Sequence, residues 1–320
     1  MRTRVAAAVA AVLSVLAAAG CSGDSSPLPR QAAGPSAAAT APAGPGTAPD
    51  TSCNPRASLP PLKTLPEPGK MPPGSYMRAI QDRGRLVLGT GQDLLLFSSR
   101  NPITGQIEGF DVDMGRQIAQ AIFGNPDKIQ IKVIGYDKRI SSAHDGSVDL
   151  VANTVTANCA RWKDVDFSSI YYDAGKKVLV SSTSTLRGMD DLGGKKVCAA
   201  RGSTSYDGIV AAKSKPIPVA RPTFGECLVA FQQNEVDAIS TDDAILAGLA
   251  AQDPFVKVVG PPLSAEPYGM AISKEHPEFT AFVNAVLAKN RANGTWKRTY
   301  ERWLGDLGPA PKPPVAEYKG

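Results

Sequence analysis

From about Gly84 to Gly305 the chain alternates short runs of β-branched and aliphatic residues with stretches of helical periodicity, and midway the scheme starts again. "GRLVLGT", "IQIKVIGY" and "VDLVANT" read as strands, and "GFDVDMGRQIAQAIFG" places Val112, Ile118, Ala119 and Ile122 at helical spacing. After "DFSSIYYDAGKKVLVSS" the pattern restarts with "KKVCAA" and "VDAIST" as strands and "ECLVAFQQ" as a helix. The long pair "PEFTAFVNAVLAKNRANG" and "TWKRTYERWLG" closes the body. Such alternation folds as an α/β arrangement with mainly parallel sheets. "HDGSVDLVANTVT" and "QQNEVDAISTDDA" resemble each other, each following a helix with a small turn, Val-Asp, an apolar strand and a polar burst. Two lobes on one plan are expected.

The polar bursts share a location. Gly91 to Asp93, Thr154 to Arg161, Arg201 to Ser205 and Thr241 to Asp243 each follow a predicted strand. In open α/β sheets ligands bind beyond the carboxyl ends of the strands, so four such ends in two lobes point to a cleft between them. Arg161 offers a permanently charged fork that matches a carboxylate. "GSTS", Gly202 to Ser205, opens a helix whose N–H groups and hydroxyls suit an anion. Asp242 or Asp243 offers the opposite charge. A carboxylate site and an ammonium site facing one cleft describe an α-amino acid.

The ends of the chain are different material. "MRTRVAAAVAAVLSVLAAAGC" has a basic head, a short apolar run and small residues before Cys21, the layout of a lipoprotein signal peptide over residues 1–20. Lipidation of Cys21 is expected, with anchoring at the outer face of the cell membrane. From Ser22 to about Pro73 the composition is Ala, Pro, Gly, Ser and Thr, which predicts a semi-extended spacer. "GPAPKPPVAEYKG" reads as an extended tail. Arg2 and Arg4 carry two of the five net positive charges, leaving +3 on the mature chain, so neither nucleic acid nor an anionic surface is implied as a partner.

Enzyme readings find little support. "GTGQDL" lacks the third glycine of a dinucleotide fingerprint, there is no GxxxxGK[ST], and His144 and His276 stand near no nucleophile motif. No CxxC or neighbouring histidine supports a metal site, and no cofactor is called for. The chain is not expected to be an enzyme.

"IEGFDVDMGRQIA", "VDLVANTVTANCARWKDVDFSSIYYDAG", "GSTS", "DDLGGKKV" and "NGTWKRTYERWLG" resemble, in order and spacing over about residues 77–305, the polar amino-acid solute-binding proteins of ABC transporters. The glutamate/glutamine-binding lipoproteins of actinobacteria are the nearest type. This resemblance implies the two-lobed periplasmic-binding-protein-like fold with two hinge strands, near Tyr171 to Gly175 and Pro262 to Pro267. It divides the chain into a spacer at 21–76, lobe 1 at 77–171 with 268–305, lobe 2 at 172–267 with the hinge strands, and a tail at 306–320. It also implies that Arg161 clamps the ligand's α-carboxylate with Thr156, Ser203 and Thr204, while Asp242 and the backbone at Thr154 take the α-ammonium. Tyr136 or Phe97 is the expected aromatic wall. Where the family has a proline and an acid before the arginine, this chain has Cys159 and Ala160.

Arg139 and Arg201 flank the expected cleft and are candidates either for a second ligand carboxylate or for structural ion pairs; the first reading favours glutamate or aspartate over glutamine or asparagine. With Cys21 lipidated, Cys53, Cys159, Cys198 and Cys227 allow three pairings. Cys198 and Cys227 fall in one lobe, which leaves Cys53 for Cys159 beside the arginine. The expected partners are one amino acid and an ABC permease, with the protein a monomer; a sensor subunit for a membrane receptor and a dehydratase-like enzyme of related fold are the alternatives.

Overall fold

The computed structural model describes residues 52–320; Cys21, the signal peptide and the first part of the spacer lie outside the described residues. The chain opens with β1 (Ala57–Ser58) and α1 (Tyr76–Arg83), then enters β2 (Leu86–Thr90). Ser75 caps α1 by accepting from the Arg78 N–H, a contact of about 1 kcal/mol. The short strands β3 (Asp93–Leu94), β4 (Ser98–Arg100) and β5 (Ile107–Glu108) form an antiparallel flap. Gly109, at φ 141°, then turns the chain into α2 (Phe110–Phe123); a Cβ there would stand 2.2 Å from the Phe97 carbonyl oxygen, so only glycine fits. β6 (Ile129–Val133), α3 (Arg139–His144), β7 (Leu150–Val151) and β8 (Val165–Phe167) complete the first pass through lobe 1.

The ten-residue β9 (Tyr172–Ser181) carries the chain into lobe 2. There follow β10 (Lys196–Ala200), α4 (Thr204–Val210), β11 (Ile217–Arg221), α5 (Phe224–Gln232), β12 (Ala238–Asp242), α6 (Asp243–Ala250) and β13 (Val256–Val259). β14 (Ala265–Tyr268) returns to lobe 1, where β15 (Ala271–Ser273), α7 (Pro277–Ala292) and α8 (Thr295–Leu304) finish the body before β16 (Glu317–Tyr318). The two crossing strands lie side by side, with Glu266 opposite Ala174 and Tyr268 opposite Tyr172.

Both lobes repeat one topology. Lobe 1 orders its sheet β6-β2-β7-β15-β8 and lobe 2 orders its own β11-β10-β12-β9-β13, so in each the first strand sits between the second and the third. The two similar sequence segments form those third strands. Their Val-Asp pairs do the same work: Asp149 accepts from the Val87 N–H at 2.6 Å and Asp237 from the Lys196 N–H at 2.8 Å, each tying the third strand to the start of the first. The sheets are not mainly parallel, however. β15 is antiparallel to β7 and β8, and β9 to β12 and β13. The reason is the double crossing: β9, which enters lobe 2, and β15, which follows the return to lobe 1, each run against the strands beside them.

The spacer is shorter than its composition suggests. Met71 is buried, Leu62 and Leu65 pack on the core, and the Leu62 N–H donates to the Ala281 carbonyl. The tail is docked as well, since β16 pairs in parallel with β1. A disulfide joins Cys53 to Cys159 and another joins Cys198 to Cys227, with Cα separations of 5.7 and 5.6 Å. Low apolar content did not prevent ordering here because a covalent link and a strand pair supply what a hydrophobic face otherwise would.

Candidate functional site

At the end of β7 the backbone inverts. Thr154 has φ 46°, a left-handed conformation that costs a β-branched residue about 1–3 kcal/mol. The turn is held by Asp111, which accepts from the Thr154 N–H and the Tyr171 hydroxyl, both at 2.7 Å. Burial pushes the Asp111 carboxyl up to about 7, against the pull of those hydrogen bonds and of Arg139. The inversion aims the carbonyls of Asn153 and Thr154 at Arg139, which donates to each at 3.1 Å.

Arg139 is buried and stacks 4.5 Å from the Tyr136 ring centre. It also donates to the carbonyls of Tyr136 and, across the lobes, Gly202. Arg161 donates to the Thr156 carbonyl at 2.8 Å and to the same Gly202 oxygen at 3.2 Å. Gly202, at φ 75°, permits this approach because a Cβ would lie 2.7 Å from Asp137 Cα. Burial, and then the charge of Arg139, lowers Arg161 to about 9, so it remains a cation at neutral pH. Among the described residues neither arginine forms an ion pair. A buried guanidinium and a half-buried one share one carbonyl, with no carboxylate among the described residues in direct ion-pair contact with either.

The loop carrying Arg161 is braced from outside. Cys159 is bonded to Cys53, the Trp162 indole N–H donates to the Pro55 carbonyl at 2.9 Å, and Lys319 Nζ sits 3.5 Å from the Trp162 ring centre. Asn158 Oδ1 takes the Arg161 N–H.

Lobe 2 supplies Asp242, the last residue of β12, which is 4% exposed. Its Oδ2 accepts from the Tyr268 hydroxyl at 2.6 Å, while its Oδ1 is buried with no partner. Burial and the nearby Glu266 charge push this carboxyl up to about 7. Asp243 turns away and accepts from the Ala244 and Gly175 N–H groups, so Asp242 is the acid at the cleft.

Of the residues expected from sequence, Arg161, Arg139, Tyr136, Thr154, Thr156, Thr204 and Asp242 are brought together between the lobes. Ser203 is engaged as the cap of α4, accepting from the Tyr206 N–H, and α4 is only seven residues long, so the contribution here is the Thr204 hydroxyl. Arg201 is exposed and its side chain takes no part. Tyr136 packs edge-on against Phe224 at 5.1 Å, whereas Phe97 is wholly buried among Phe110, Tyr172 and Tyr268 near the crossing strands.

Three participants were missed. Glu266 on β14 pairs with Lys176 on β9 at 2.8 Å and accepts from the hydroxyls of Thr156 and Thr204, each at 2.8 Å. Neither residue follows a strand end, so the pattern that found the others passes over them. Asn153 heads the polar burst after β7, and both its amide atoms are buried without a partner. Buried polar groups are nearly always paired, and the Asp242 oxygen left without a partner among the described residues marks a place shaped for something else, while the Asn153 amide, also unpaired, lies in lobe 1 beside Gly91 and Ser98.

The family model of the bacterial extracellular solute-binding proteins, family 3, matches residues 86–306. The ABC transporter glutamine-binding protein of Bacillus subtilis is 35% identical over 229 residues, 71% of this chain and 84% of that protein. A glutamine-binding protein of Geobacillus stearothermophilus is 36% identical over 200 residues, 62% of this chain and 76% of the relative. Among solved structures, an ancestral arginine-binding protein bound to glutamine superposes with a TM-score of 0.65 at 31% identity, covering 70% of this chain and 99% of that one.

Proposed function

The chain belongs to the bacterial extracellular solute-binding proteins, family 3, receptors and not enzymes, and from that footing we propose that it binds one amide or acidic α-amino acid between its lobes, L-glutamine first, and presents it to the permease of an ABC transporter. The observation that carries this is the buried Oδ1 of Asp242, without a partner among the described residues, set in the same interface as Arg161, a cation with no ion-pair partner among them. An α-ammonium satisfies the first and an α-carboxylate the second. Closure of both lobes on the ligand then follows, since the contacts come from both sides.

The side-chain preference moves from acid to amide. Arg139 has four of its hydrogen bonds on carbonyls, and Arg201 lies at the surface, so neither is free to meet a second carboxylate. Asn153 instead offers one unpaired donor and one unpaired acceptor, the complement of a primary carboxamide. The relatives named as glutamine-binding agree with this order. In this reading the protein is a monomer tethered through lipid on Cys21, which palmitate labelling of the exported chain checks.

Calorimetric titration with glutamine, asparagine, glutamate, aspartate, lysine and arginine tests the proposal. Glutamine should bind tightest. A basic amino acid in that place would overturn the polarity of the pocket, tightest binding of glutamate would return Arg139 to the ligand, and no binding by any of the six would end the amino-acid reading.

A further inference from the structure

Glu266 is saturated. Its Oε1 takes Lys176 Nζ at 2.8 Å and the Ser264 hydroxyl at 2.7 Å, and its Oε2 takes the Thr156 and Thr204 hydroxyls. These partners come from every moving part: Thr156 from lobe 1, Thr204 from lobe 2, Lys176 and Glu266 from the two crossing strands. Lys176 adds a bond to the Thr204 carbonyl at 2.9 Å. The residue is 3% exposed, so these are desolvated, charge-assisted contacts.

A threonine hydroxyl has one proton to give. With the protons of Thr156 and Thr204 both directed at Glu266, neither hydroxyl can donate to a ligand carboxylate. We propose that Glu266 is a built-in stand-in for the ligand's α-carboxylate, holding the empty lobes together through the two hydroxyls that an incoming amino acid must take over. The internal carboxylate and the ligand compete for the same donors, so Glu266 lowers the affinity of the site and keeps the unliganded protein compact. Only the ligand half of this statement rests on the amino-acid reading above; the compactness of the empty protein does not.

The test uses the mature full-length chain. Glu266→Gln alone leaves Lys176 buried without its counter-ion and risks misfolding, so the decisive variant is Glu266→Gln with Lys176→Gln. That pair keeps the net charge and lets two amides hydrogen-bond while weakening the hold on the hydroxyls from charge-assisted to neutral. Small-angle scattering without any amino acid should give a larger radius of gyration for the double variant than for the wild type. Titration with L-glutamine should give a dissociation constant lower by about tenfold, the difference between a charge-assisted and a neutral bond. An unchanged radius of gyration, or a constant that is unchanged or raised in the folded variant, overturns the proposal. If the wild type binds no amino acid at all, the functional reading fails, and the scattering comparison still decides whether Glu266 closes the empty protein.

Discussion

The third strand of each lobe ends in a polar burst, and the two ends differ in length, charge and bracing. In lobe 2, Asp242 closes β12 and the chain turns at once into α6, so the acid sits on regular structure. In lobe 1 the chain leaves β7 through an inverted Thr154 and wanders to Arg161 before β8, with a disulfide and an indole holding the loop from outside. Duplicate scaffolds have thus been given opposite charges, one presented rigidly and the other on a loop that needs support. Asymmetric ligands with a positive and a negative end fit such a pair.

Arg161→Ala breaks the comparison most severely. Each charge-assisted hydrogen bond is worth about 1.5–3 kcal/mol, so a bidentate clamp lost means binding weaker by about a hundredfold or more. The melting temperature without ligand should change little, because the desolvation of the half-buried cation offsets its two bonds to carbonyls. Calorimetry that shows near-normal affinity in a folded Arg161→Ala protein would transfer the carboxylate to another residue.

Acidity separates the ends next. Burial and the Glu266 charge push the Asp242 carboxyl up to about 7 from an ordinary 3.8, so the fold binds a proton that the unfolded chain releases. Its contribution to unliganded stability therefore improves as pH falls from above 7 toward 4. An ammonium needs the carboxylate form, so ligand-induced stabilisation by glutamine should run the other way and be larger at pH 8 than at pH 6. Asp242→Asn should bind about tenfold or more weakly, consistent with one charge-assisted bond, and should lose that pH dependence in thermal-shift measurements. A shift that is as pH-dependent in the variant as in the wild type would remove Asp242 from the ammonium.

The two disulfides sharpen the contrast. Replacing either pair by alanine should cost about 2–5 kcal/mol of stability. Loss of Cys53–Cys159 should also weaken binding several-fold, because the arginine loop loses its brace, whereas loss of Cys198–Cys227 should leave affinity alone. Equal effects on binding would deny the loop its special dependence. The smallest effect belongs to Arg201→Ala, which should change neither melting temperature nor affinity beyond experimental scatter; a clear loss of affinity would bring that arginine back to the ligand.

Much of this was legible in residue order. The repeated Val-Asp segments marked the third strands, the strand-end bursts marked the cleft, and the cysteine placement gave both bridges. Glu266 was not legible, because "SAEPYG" looks like any strand entry and the two threonines it joins lie 62 and 110 residues away in sequence. Arg139 was left open between a ligand carboxylate and a structural role for a related reason. A guanidinium beside a cleft invites a carboxylate partner, and only the inverted Thr154 reveals that backbone carbonyls have taken that place. The ordered start at Cys53 escaped notice because composition registers the apolar surface that a segment can bury and is blind to a strand partner arriving from the far end of the chain.

That pairing of β1 with β16 makes the described body a closed ring cut at a single place, with the seam lying on lobe 1. Arg56 runs from this seam to Asp173 on the first crossing strand, donating to it with both Nη groups at 2.6 and 3.2 Å. Both described ends of the chain are thus fastened to lobe 1, and none of these contacts reaches the lobe 2 strands β10–β13. Ser58 and Lys319, paired across this seam, therefore offer two attachment points on one lobe that lie next to each other although 261 residues separate them in the chain.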